Sequence, residues 1–151
     1  MKKTLFTATL LAASLMAAST VQAAPQEVTM WHYFDQKPEQ EMLADMVEEY
    51  NSLQDDIHIN ATFVSRTELM NQYTVGALSG ELPDIGQVDS PDMESYISLG
   101  VFEDITDELE SWGELDQFYD GPLSSCKDPD GKVYGLPQNS NCLALRSEEH
   151  T

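Results

Sequence analysis

Between Glu27 and Gly100 the apolar residues switch repeatedly from strand spacing to helix spacing, and this rhythm constrains the fold more than any single motif does. Glu27 to Tyr33 is rich in Val, Thr, Trp and Tyr and is expected to form a strand. Pro38 suits the first turn of a following helix, whose positive dipole end favours Glu39 and Glu41. Met42, Leu43, Met46, Val47, Tyr50 and Leu53 recur at helical steps, so that helix has an apolar face, most simply packed on a sheet. Ile57, Ile59, Ala61 and Phe63 then alternate with polar residues as a second strand with one buried face. Ser65 and Glu68 have capping-box spacing ahead of a stripe of Leu69, Met70, Tyr73, Ala77 and Leu78, and Gly80 offers a left-handed stop. Gly76 inside that helix costs about 1 kcal/mol relative to alanine. Pro83 to Val88 is expected as a third strand, and Ser90 as N-cap with Pro91 at N1 opens a third helix that carries Met93, Tyr96 and Ile97 and ends at Gly100.

This β-α-β-α-β-α order predicts a mostly parallel sheet with helices on both faces. Such sheets bind ligands at the carboxyl ends of their strands. The rule places Trp31 to Gln36, Ser65 to Glu68 and Asp89 to Asp92 along one rim. Beyond the sheet, Val101 to Ile105 is a short apolar link, and Leu109, Trp112, Leu115 and Phe118 mark another helical face with Gly113 as a weak point. Asp128-Pro-Asp-Gly131 is expected as a turn joining Ser124–Lys127 to Lys132–Leu136 in a hairpin. Its Asp-x-Asp-Gly start is that of a calcium loop, but Lys132 and Asn139 stand where such a loop needs an oxygen ligand and its closing glutamate, so no metal is expected.

Lys2 and Lys3 lead into an apolar run from Leu5 to Ala18 and then Val21-Gln22-Ala23, the layout of a secretory signal peptide cut after Ala23. The run is too short to span a bilayer, and no cysteine follows the cut to carry a lipid. The expected location is therefore the periplasm, without an anchor. With 7 basic and 27 acidic residues the chain carries a net charge of −20, and losing the leader makes it more negative still. Such a surface repels nucleic acid and anionic membranes. The charges are interleaved with apolar positions, which predicts a folded core rather than disorder. Cys126 and Cys142 are the only cysteines, and an oxidising compartment favours a disulfide between them over two buried thiols.

Three stretches carry a family resemblance: Ser79-Gly-x-x-Pro-Asp84, Leu99-Gly-x-Phe102 and Asp130-Gly-Lys-x-Tyr-Gly-x-Pro137, in that order behind a signal peptide and "VTMWHYF". Together they resemble the family-1 extracellular solute-binding proteins of ABC importers, the maltose-binding-protein-like group, over about Val28 to Leu145. The resemblance implies a periplasmic-binding-protein-like lobe, a carbohydrate solute, delivery to permease subunits in the inner membrane, a monomer, and neither catalysis nor a cofactor. Sugars need aromatic faces beside planar polar groups. The family's cleft segments fall on Trp31, His32, Tyr33 and Asp35, on Arg66, on Asp89, and on Gln138, Asn139 and Asn141, which supply that chemistry.

Strand alternation sends Trp31 and His32 to opposite sides, so at least one of them is expected in the core. His32 also fits a hydrogen-bonded structural histidine, and Arg66 a partner for Glu68. Trp31-His32 occurs as well in receptors for phosphorylated polyols such as glycerol phosphate, which would demand more cations than Arg66 provides. A secreted hydrolase would need paired carboxylates or a nucleophile with its base, and no Ser-His or metal-ligand spacing stands out. After Leu145 the family pattern stops at Arg146-Ser-Glu-Glu-His-Thr151, which is what the codons AGA TCG GAA GAG CAC ACG of a common sequencing adapter encode. The expected organisation is therefore a leader over 1–23, an incomplete N-terminal lobe over 24–145 with the second lobe largely missing, and a non-native tail over 146–151. Such a product is expected to bind sugar weakly or not at all.

Overall fold

The strand Gln26–His32 (β1) is paired on both edges, and the rest of the fold hangs from it. The computed structural model describes residues 24–140; the leader, Asn141, Cys142 and the 146–151 tail lie outside the described residues. On one side β1 runs parallel to Ile57–Phe63 (β2), with Gln26 opposite Ile57 and His32 opposite Phe63. On the other it runs parallel to the short Ile85–Gly86 (β3), giving the order β2-β1-β3.

Parallel neighbours need crossovers, and helices supply them. Lys37–Leu53 (α1) links β1 to β2, and Arg66–Ser79 (α2) links β2 to β3. The two crossovers travel in opposite directions across the sheet, so right-handed connections place α1 and α2 on opposite faces. After β3 come a 3-10 turn at Ser90–Asp92 and the helices Met93–Ser98 (α3), Thr106–Trp112 (α4) and Asp120–Ser124 (α5).

The core lies on the α2 side of the sheet. Tyr73, the most buried large side chain, packs with Leu69 and Tyr96 and draws in Trp31, Val64, Val88, Val101 and Phe102. Its ring meets those of Trp31, Tyr96 and Phe102 with centroids 5.3, 5.1 and 5.9 Å apart, the last two edge to face, the arrangement that aromatic quadrupoles favour. Gly86 makes this cluster possible, because a Cβ there would fall on the Tyr73 hydroxyl.

Several expectations need correction. The apolar stripe of α1 is mostly uncovered: Leu43 is buried, whereas Met42, Met46, Tyr50 and Leu53 are exposed. What holds α1 to β2 is polar: the Asn51 side chain donates to the Ile59 carbonyl and accepts from its N–H, and Gln54 does the same for Ile57. Alternation in β2 likewise half-buries Ile57 and Ile59 but leaves Phe63 exposed.

The Ser65–Glu68 capping box does not form. Ser65 holds the N-cap position of α2, but its hydroxyl bonds with that of Thr67 and not with the backbone. Gly76 is a close-approach residue rather than a weak point, since a Cβ there would lie 3.0 Å from the Glu81 carbonyl oxygen and from Leu82. Gly113 does not interrupt a helix but ends α4 in the left-handed conformation at φ 79°. Ser124, expected in a strand, belongs to α5.

The Asp128–Gly131 turn is formed, and Lys127 pairs with Val133 across it. Asp104 and Thr106 dock this hairpin on α4. Asp104 accepts from Lys132 Nζ at 2.7 Å and from the Thr106 hydroxyl and N–H, and together these hold its carboxyl at about 2. The Thr106 hydroxyl in turn accepts from the buried Val133 N–H at 2.9 Å.

Thr106→Val keeps the side-chain shape but strands that N–H. It is expected to lower stability by about 1–3 kcal/mol, read as a shift of the urea midpoint at unchanged slope. Gly86→Ala should be more damaging, about 2–3 kcal/mol from overpacking against Tyr73, with loss of near-ultraviolet aromatic dichroism as its signature.

Candidate functional site

Three loops leave the carboxyl side of the sheet together, and a fourth segment closes on them. Tyr33 directly follows β1, Arg66 is the first residue of α2, Gln87 to Asp89 follow β3, and Leu136 to Asn139 come in from beyond the hairpin. Tyr33, Gln87 to Asp89 and Leu136 to Asn139 line a cleft of about 520 Å³, and Arg66 stands behind this lining against Tyr33 and Asp89. The Arg66 guanidinium stands over the Tyr33 ring, 5.7 Å from its centroid, and pairs with the Asp89 carboxylate. Burial, and next the charge of Asp89, push the Tyr33 hydroxyl above its usual range, so it stays neutral and can both donate and accept. Arg66 balances Asp89, so this part of the wall presents no free cation.

Tyr33, Arg66, Asp89, Gln138 and Asn139 are thus gathered at one place. The other sequence candidates stand apart from them. Trp31 is turned toward Tyr73 in the core cluster. His32 points to the opposite side of the sheet, buried between Phe34 and Phe63 with ring centroids 6.1 and 5.9 Å away. Its Nδ1 has no hydrogen-bond partner among the described residues. Asp35 is exposed and accepts from Gln36. Asn141 and Cys142 fall outside the described residues. Cys126 is buried in the cleft lining with no disulfide partner among the described residues, and burial pushes its thiol up. Among the described residues no set of three His, Cys, Asp or Glu is arranged to hold a metal ion, and no helix is long and apolar enough to cross a membrane.

Sequence reasoning missed Gln87, Phe102 and Tyr134, which also line the cleft. Gln87 was findable, because it lies at the carboxyl end of β3, where the strand-end rule points. Phe102 and Tyr134 were within motifs that carried the resemblance, but nothing in their spacing showed that the chain folds Phe102 against Gly86 and brings Tyr134 to the cleft.

The fold defines the class: a periplasmic-binding-protein-like lobe, spanning part of a domain. The galacto-N-biose-/lacto-N-biose I-binding protein of the ABC transporter from Bifidobacterium longum matches it with a TM-score of 0.67 at 26% identity, over 79% of this chain and 30% of that one. The cyclic α-maltosyl-1,6-maltose binding protein from Arthrobacter globiformis matches at 0.52 and 28% identity, over 70% of this chain and 24% of that one. An ABC substrate-binding protein from Listeria monocytogenes in complex with cycloalternan matches at 0.65 and 21% identity, over 74% and 28%, which speaks for the fold alone. This chain therefore spans less than a third of the length of each. No protein-family model and no curated protein matches it. The resemblance expected from the motifs holds: the similar solved structures are sugar-binding proteins of ABC transporters, maltose-binding-like.

Burial lowers the His32 pKa below its ordinary 6.5. The unfolded chain then binds a proton that the native chain refuses, so His32 takes away stability as pH falls below 6.5 toward the depressed native value. The contributions of Asp84 and Asp104, both lowered, are lost only below the ordinary 3.8. His32→Phe is expected to flatten the fall in urea midpoint between about pH 7 and pH 5. An equal fall in both proteins would remove His32 as its source.

Proposed function

We propose that this chain forms one wall of the ligand cleft of an extracytoplasmic solute-binding protein that captures a neutral sugar or oligosaccharide for an ABC importer. The observation that carries the reading is the clustering of Tyr33, Arg66, Asp89 and Gln138 where the loops leave the parallel strands. A tyrosine ring offers a stacking face for sugar C–H groups, and the carboxylate and amides beside it suit hydroxyls. In this reading residues 1–23 are a cleaved export leader, 24–145 an incomplete first lobe and 146–151 a non-native tail. The protein works as a monomer in the periplasm, and a second lobe supplies the opposing wall and shares contact with the permease subunits. The ligand contacts are Tyr33, Asp89, Gln138 and Asn139, with Arg66 holding Tyr33 and Asp89 in place and Asn141 continuing the same segment. Catalysis has no part in it.

A phosphorylated polyol suits the same wall poorly. Arg66 is already committed to Asp89, and an added phosphate would face Asp89 and Glu103 in the cleft lining.

With one wall present the affinity should be low, so the test is heteronuclear NMR at millimolar ligand. Maltotriose and lacto-N-biose are expected to shift the amides of Tyr33, Asp89 and Gln138, and Tyr33→Ala to abolish those shifts. Glycerol phosphate should leave them in place. A stronger response to glycerol phosphate, or shifts confined to other surfaces, would overturn the assignment. Calorimetric affinity in the micromolar range would show that a second wall is not needed.

A further inference from the structure

A glutamine side chain can be turned either way, and only its partners decide which end is oxygen. Gln87 has a partner that removes the choice. The Tyr33 backbone N–H can only donate, and it reaches the Gln87 side-chain oxygen at 3.0 Å. The Gln87 amide nitrogen is thereby turned the other way, where it donates to Gln138 Oε1 at 2.8 Å. The same reasoning passes one residue further. With its oxygen engaged by Gln87, Gln138 must direct its own NH2 group elsewhere, and no described group accepts from it. Gln138 lines the cleft.

The Gln87 side chain is tied at its oxygen by Tyr33 and at its nitrogen by Gln138, and its backbone is anchored as well. Its N–H donates to the Trp31 carbonyl at 2.9 Å, and its carbonyl accepts from the hydroxyl of buried Tyr73 at 3.4 Å. The orientation therefore starts at a main-chain donor of known polarity, crosses two amides and ends at the cleft.

We propose that Gln87 is a positioning residue that fixes the polarity of the Gln138 amide, so that the cleft offers N–H donors at that point and selects a solute bearing an acceptor oxygen there. A hydroxyl, ring or carbonyl oxygen satisfies that point, whereas an ammonium or amide N–H meets a like donor and is disfavoured. The choice of solute rests on the receptor reading above, but the relay of amide orientation does not.

Both parts can be read on the 15N-labelled chain. Without ligand, the Gln87 NH2 signal is expected to have one hydrogen shifted downfield and slowed in exchange, with the Gln138 NH2 near the free-amide position. Gln87→Glu removes the donor but keeps an acceptor for Tyr33. Gln138 should then turn over, its NH2 moving downfield while Tyr33 stays protected from exchange. Gln87→Leu should speed Tyr33 amide exchange by about tenfold, and if that variant does not fold, the near-isosteric Glu variant still decides. A bonded Gln138 NH2 in the parent protein, or one unmoved in Gln87→Glu, overturns the relay. Maltotriose should shift the Gln138 NH2 in the parent. Shifts at Tyr33 and Asp89 with that group unmoved overturn its selecting role. No shift at any of them removes the receptor reading and with it the solute, while the ligand-free spectra still decide the relay.

Discussion

The meeting of Tyr33, Arg66 and Asp89 follows from β1 having a parallel neighbour on each edge. Parallel pairing aligns the carboxyl ends of the strands, so the loops that leave them emerge on one side, and residues distant in sequence meet without any long-range charge attraction to draw them together. Tyr33 and Asp89 are neighbours because β1 and β3 are. Arg66 joins them because α2 begins where β2 ends. The ion pair and the stacked guanidinium are consequences of this register, and exposed as they are they add little to stability.

The second constraint is aromatic. Tyr73 fills the space between α2, α3 and β3, and it reaches Gln87 with its hydroxyl. One residue thus links the main core to the loop that borders the cleft. The absence of a side chain at Gly86 is as necessary as the ring it admits, so the position of the wall depends on a glycine in its lining and a tyrosine behind it.

The fold was legible where one physical cause acted alone. The strands Gln26–His32 and Ile57–Phe63, the start of α1 near Pro38, and the stops at Gly80 and Gly100 follow from period, proline and the left-handed glycine. Legibility failed where tertiary packing decided. Gly76 has a poor helix propensity whichever way it is used, and its close approach to the Glu81 backbone and the Leu82 side chain is visible only in three dimensions. The same holds for the stripe of α1: its spacing shows that it is apolar, not that anything covers it. In the site, strand-end reasoning gathered Tyr33, Arg66 and Asp89 correctly in space, and alternation foretold that Trp31 and His32 would part. It could not say that Trp31 would be the one taken by Tyr73, nor that the His32 Nδ1 would meet no partner among the described residues.

The two indoles fall in contrasting surroundings. Trp31 rests on Tyr73 two residues from the wall, whereas Trp112 at the end of α4 is 52% exposed beside Phe118. The unaltered chain therefore carries a half-buried and a wet fluorophore, and a neutral collisional quencher such as acrylamide dims the second more than the first, which is left to report on the floor beneath Tyr33.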